Sequence, residues 1–209
     1  MRVAATLPMM LAASLLPLTL AAAASVSTEE VIAETYPQYS VSPPTPNMVV
    51  VCHGFGCNYR ALVALTSADR AKLAQILAAG QASPAAERRA VATAGAWFDR
   101  RIAPVAGTRH HVARAGVDYM FDEGQFDCID ASRNTTSLLL VLEELKLLHH
   151  HDVDVPVARG FLFDGIMTPH VTAVLTEKKT GEKWAVDAWT TGYGKAPEIM
   201  PLEIWQTRD

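Results

Sequence analysis

The sequence predicts an α+β domain in which one long apolar helix packs on an antiparallel sheet, with further helices earlier in the chain. Three observations carry this. Between Ile129 and His149, Leu138, Val141, Leu142, Leu145 and Leu148 recur at helical spacing, and Leu139, Leu140 and Leu147 widen the stripe until it is apolar on more than one side. After it, residues 153–163, 168–177 and 182–189 read as extended runs. Before it, helical spacing dominates. Helices first, then a central helix, then a meander is the order of a helix-on-sheet fold.

Taken in order, Met1–Ala24 carries one charge, Arg2, an apolar run from Leu7 to Leu20 and the tail Ala21–Ala24. That pattern predicts a secretory signal peptide, removed after Ala23 or Ala24, with Pro8 and Pro17 arguing against a spanning anchor. Residues 25–47, rich in Ser, Thr and Pro, predict an extended N-terminal arm with no core face of its own. Residues 48–209 are expected to form a single domain. Within it, Met48–Val51 reads as a strand, and Asn58–Ala79 as a helix burying Leu62, Leu65, Leu73, Ile76 and Leu77, stopped by Gly80. Ser83-Pro84 opens a second helix that Pro104 should end near Ile102. Residues 105–127 predict loop, and 190–209 a surface wrap anchored by Ile204 and Trp205.

The formal net charge is −4, and loss of residues 1–24 takes one base and no acid, leaving −5. A nucleic-acid partner would want a basic face, so none is expected. The mature chain is read as periplasmic or secreted, with no stable membrane anchor. Its three cysteines then suggest one bridge and one free thiol. Cys52 and Cys57 flank a glycine-containing loop that permits a local disulfide, which would leave Cys128 free. A metal site at Cys52, His53 and Cys57, or Cys57 as a nucleophile, are the rival readings. The run His149-His150-His151 invites a metal reading too, but successive helical side chains diverge.

Cys128 stands where the loop Gly124–Asp127 meets the central helix, and a helix start favours a thiolate. A base is offered by His170. Side chains alternate along a strand, and a four-residue loop at Lys178–Gly181 would pair Glu177 with Glu182. That register makes His170 and Asp187 diagonal neighbours on one face, roughly 7–8 Å apart at the backbone. A three-residue loop would put them on opposite faces.

The stretches Asp127-Cys128-Ile129-Asp130, Val155–Gly160, Pro169-His170 and Trp184–Trp189 together resemble the transglutaminase-like superfamily, nearest to its exported bacterial cysteine proteinases. The resemblance spans about residues 83–190 and is strongest over 124–189. It implies a papain-like core with Cys128 as nucleophile, His170 as base and Asp187 as orienting acid. It also implies a protein or peptide substrate in the cell envelope and no obligatory cofactor. Calcium at Asp127 and Asp130 is an open option without being expected, because Ile129 stands where the pattern would want an acid.

The chemistry would then be acyl-enzyme formation at Cys128, with the Cys128 N–H and the Gln125 side chain as candidate oxyanion donors. Water as acceptor gives a peptidase or amidase, and an amine gives a transglutaminase. A non-catalytic envelope binding module is the rival from another class. A dithiol oxidoreductase at Cys52 and Cys57 is weaker, because the C-x4-C spacing lacks the usual two-residue gap.

Overall fold

The structure, a computed structural model, describes residues 26–160 and 169–208. The expected signal peptide, the end of the first predicted strand of the meander (161–163) and Thr168 lie outside the described residues.

Helices and antiparallel sheet are mixed along the chain. Helix α1 (Thr28–Thr35) is followed by the hairpin β1 (Met48–His53) and β2 (Tyr59–Ala64), then by α2 (Ser67–Ala78), α3 (Pro84–Ala106) and α4 (Cys128–Glu144). Strands β3 (His151–Arg159), β4 (His170–Glu177), β5 (Lys183–Asp187) and β6 (Glu198–Pro201) form one antiparallel sheet in that order, and α5 (Leu202–Thr207) follows.

Helix α4 is the buried axis. Leu138–Leu142 are all buried, and so is every residue from Asp130 to Ser137, although most of these are polar. Such groups are tolerated inside because they find partners. Asn134 accepts the Cys52 N–H and donates to the Cys52 carbonyl, both at 2.8 Å, tying β1 to the helix. The Ser137 and Tyr36 hydroxyls meet at 2.8 Å.

Several expectations are corrected. The N-terminal arm is not extended: Ser27 caps α1, and Val31, Tyr36 and Val41 enter the core. The helix expected over Asn58–Ala79 is a strand followed by a helix. Tyr59–Ala64 pairs in register with Met48–His53, leaving Leu62 exposed, and α2 starts at a capping box between Thr66 and Asp69. Helix α3 runs past Pro104 to a left-handed Gly107.

Helix α4 stops five residues before His149, because Lys146 takes a left-handed backbone (φ 57°). His151 therefore begins a strand. The C-terminal wrap contains β6 and α5, and Trp205 is buried while Ile204 is exposed.

Candidate active site

The hairpin β4–β5 sets the first half of the site. Glu177 N–H donates to Glu182 O at 2.8 Å, so Lys178–Gly181 is the four-residue loop, and Ala173 pairs with Val186. In that register His170 and Asp187 lie on one face, and His170 Nε2–H donates to Asp187 Oδ2 at 2.6 Å. Both residues are buried. The same Asp187 oxygen accepts the Trp205 indole N–H at 2.8 Å, and the His170 ring lies between Trp189 and Trp205, 4.7 and 5.2 Å from their centroids. A ring whose Nε2 holds the proton presents its lone pair at Nδ1. Here Nδ1 is buried and has no hydrogen-bond partner.

The N-terminus of α4 sets the second half. Asp127 is the N-cap and Asp130 the third helical residue, each accepting the other's backbone N–H. Four successive residues of the β1–β2 loop, Gly54 to Cys57, have positive φ between 61° and 73°. This left-handed turn aims its amides at the two acids: Phe55 and Cys57 N–H donate to Asp130, and Gly56 N–H to Asp127. The Cys52–Cys57 disulfide closes that turn, and Gly54 N–H donates to Gln125 O. The bridged loop thus clamps the segment that carries Cys128.

Cys52, Cys57 and Asp130 bring metal-ligand atom types within 4.8 Å of one another. The two sulfurs are nevertheless bonded together, and Asp130 is committed to the loop amides. The same commitment bears on calcium, since both carboxylates already serve backbone N–H groups.

Cys128 is half-buried and is the free cysteine of the described chain. Its thiol donates to Pro169 O at 3.5 Å, and the Val171 N–H reaches its sulfur. The sulfur therefore lies against the backbone on both sides of His170, without a hydrogen bond to the imidazole. The expected thiolate is corrected here. Burial pushes the thiol up to about 11, with Asp127 and Asp187 adding to the rise, against the opposing Val171 and Cys128 N–H groups. Local helix-start electrostatics are outweighed by desolvation.

Gln125 is also corrected as an oxyanion donor. Its Oε1 accepts the Val112 N–H at 2.9 Å, while its Nε2 donates to Asp122 at 3.2 Å and His110 O at 3.4 Å. It knots the loop that leads into Cys128. Trp189 and Trp205 were not among the expected site residues, although the register that pairs Glu177 with Glu182 also sets Trp189 opposite His170; for Trp205 the one signal is its aromatic character. The three successive histidines do not converge. His151 bonds Glu87 and Arg88, while His149 and His150 give backbone N–H groups to Glu87.

No protein-family model matches the chain, and no curated protein or solved structure matches it either. The described chain has a disulfide, and none of its described helices is long and apolar enough to cross a membrane.

Proposed function

We propose that the chain is an exported thiol hydrolase, a peptidase or amidase built on a papain-like, transglutaminase-like core. One observation carries this reading: Asp187 holds His170 through Nε2 and leaves Nδ1 buried and unspent, while the Cys128 thiol rests on the carbonyl of Pro169, the residue before His170. The resting thiol is neutral, so proton transfer to Nδ1 accompanies attack instead of preceding it. The thiol leaves Pro169 O, sulfur bonds the substrate carbonyl carbon, and the thiol proton passes to His170. The Cys128 N–H, at the first turn of α4, serves the developing oxyanion. His170 then protonates the leaving amine, and the thioester is released to water with His170 as base.

An amine acceptor would make the same thioester a transglutaminase intermediate. The non-catalytic binding module is favoured by one observation, the neutral thiol resting on Pro169 O.

p-Nitrophenyl acetate separates these readings. The hydrolase should release a burst of about one p-nitrophenol per chain, gain an acetyl group on Cys128 by mass spectrometry, and turn over. Added glycinamide should leave acetate as the main product. Absence of acetyl-Cys128, or an adduct that never turns over, would establish the binding module instead.

A further inference from the structure

We propose that the cavity beside His170 is an anion-binding pocket, selecting an acyl donor that carries a carboxylate close to its scissile amide. This deepens, and rests on, the hydrolase reading. The cavity, of about 370 Å³, is lined by His170, Pro169 and Trp189 together with Arg114, Arg159 and Arg208. No aspartate or glutamate is among its described lining residues. The chain as a whole has 22 acids against 18 bases, so this concentration of one sign runs against its composition. Pro169 is also the residue whose carbonyl accepts from the Cys128 thiol, so the cavity and the thiol share Pro169 as a neighbour.

Arg114 makes the argument specific. It is exposed and has a left-handed backbone, φ 55°, a conformation that glycine or asparagine adopts more readily. That backbone is fixed by the site: Arg114 N–H donates to Trp189 O at 2.8 Å, and the Trp189 indole N–H donates to Ala115 O at 3.3 Å. Its guanidinium meets no acid, carbonyl or ring among the described residues. Among the described residues its side chain has no hydrogen-bond or ion-pair partner, and unfavourable backbone geometry in a non-glycine residue tends to mark a ligand site.

The other two arginines are braced. Arg208 pairs with Glu198 at 3.1 Å, and Arg159 donates to the Trp205 carbonyl and lies 4.5 Å over the Trp205 ring. Glu198 offsets part of the Arg208 charge, which leaves Arg114 as the main anchor. A guanidinium fork fits a carboxylate with two parallel hydrogen bonds, and carboxylate is the anion that peptides carry beside their amides. The positive field also concentrates such substrates at the cleft.

Paired alkylators of similar size test this on the intact protein. In both iodoacetate and iodoacetamide, sulfur displaces iodide from a CH₂ carbon and the thiol proton goes to buffer; only the charge of the reagent differs. Because thiolate fraction enters both rates, their ratio reads the pocket alone. At low salt the iodoacetate-to-iodoacetamide ratio for Cys128 should exceed that of free cysteine by about ten-fold or more. It should fall several-fold in Arg114→Gln and on adding salt.

A ratio equal to that of free cysteine, or one untouched by Arg114→Gln, overturns the pocket. Failure of the hydrolase reading looks different: His170→Ala would leave both rates unchanged while the ratio stayed high. A second measurement needs no thiol. Glutarate should raise the melting temperature of the wild type above sodium chloride of matched ionic strength, and should not do so for Arg114→Gln. A wild type indifferent to glutarate also counts against the pocket.

Discussion

Among the described residues, two histidine–carboxylate pairs are buried on both sides, and they are built to opposite ends. In the first, His151 Nδ1–H donates to Glu87 at 2.8 Å, and Nε2 accepts from Arg88 at 3.1 Å. Arg88 continues to Glu177, and Glu87 also takes the N–H groups of His149 and His150. Burial pushes the Glu87 carboxyl up, but the bonds from His151, His149 and His150 more than compensate and hold it below its usual range. In the second pair, His170 spends Nε2 on Asp187 and leaves Nδ1 without a partner, while the Cys128 thiol rests on the adjoining Pro169 carbonyl. A ring closed on both sides braces α3 to the sheet. One with an unspent nitrogen is available for proton transfer.

The comparison is broken most decisively by removing each ring in turn. His170→Ala should lower turnover of the acetyl-enzyme by about 10²–10⁴-fold per folded molecule, besides the stability it loses by leaving buried Asp187 with the Trp205 N–H alone. His151→Ala should unfold the chain more readily while acylating at wild-type rate per folded molecule. A large stability loss from His170→Ala with turnover retained would invert the assignment.

Next in size is Glu87→Gln, which takes the carboxylate from the His151 ring and the His149 and His150 N–H groups and should cost about 3–5 kcal/mol in urea unfolding. The sign of its pH dependence follows from the lowered carboxyl. Its contribution is fully present above the unfolded value of about 4.3 and is lost as pH falls through the lower folded value. Wild type should therefore lose stability on the acid side more steeply than Glu87→Gln does.

The same contrast shows what the sequence made legible. The His170–Asp187 register could be counted from a turn of four polar residues, because side-chain alternation converts loop length directly into facing. The disulfide followed from an odd cysteine count and a glycine-containing loop. The closed pair was invisible because Glu87 and His151 lie 64 residues apart in sequence and meet only through packing. The end of α4 was hidden because lysine, not glycine, holds the left-handed position. Strand β2 was masked by leucines that also satisfy helical spacing, although the Thr66–Asp69 box inside the expected helix was a readable start signal. The thiol was misjudged because burial is tertiary, while the helix-start effect that favours a thiolate is local.

A smaller effect concerns the clamp on Cys128. Replacing Cys52 and Cys57 by serine should cost about 2 kcal/mol by the chain-entropy model for so short a loop. It should also loosen the amides that hold Asp127 and Asp130. Hydrogen exchange at Phe55, Gly56 and Cys57 should quicken while the Ala173–Val186 hairpin stays protected. Equal acceleration in both would mean that the clamp and the hairpin form one cooperative unit.

The smallest expected effect probes the carboxylate that the open pair shares. Trp205→Phe keeps an aromatic ring against His170 and removes the N–H that reaches Asp187 Oδ2 at 2.8 Å, together with part of the ring beneath Arg159. A lost hydrogen bond to a charged acceptor of this kind should cost about 1–3 kcal/mol, with the low end expected because His170 still serves the same oxygen. Turnover should fall several-fold, since Asp187 would hold the imidazole less firmly. The effect on turnover should vanish in an Asp187→Asn background, because the indole acts through the carboxylate. If Trp205→Phe lowers turnover equally in both backgrounds, the indole acts by packing on the ring. The open pair would then be oriented by its aromatic walls more than by its acid.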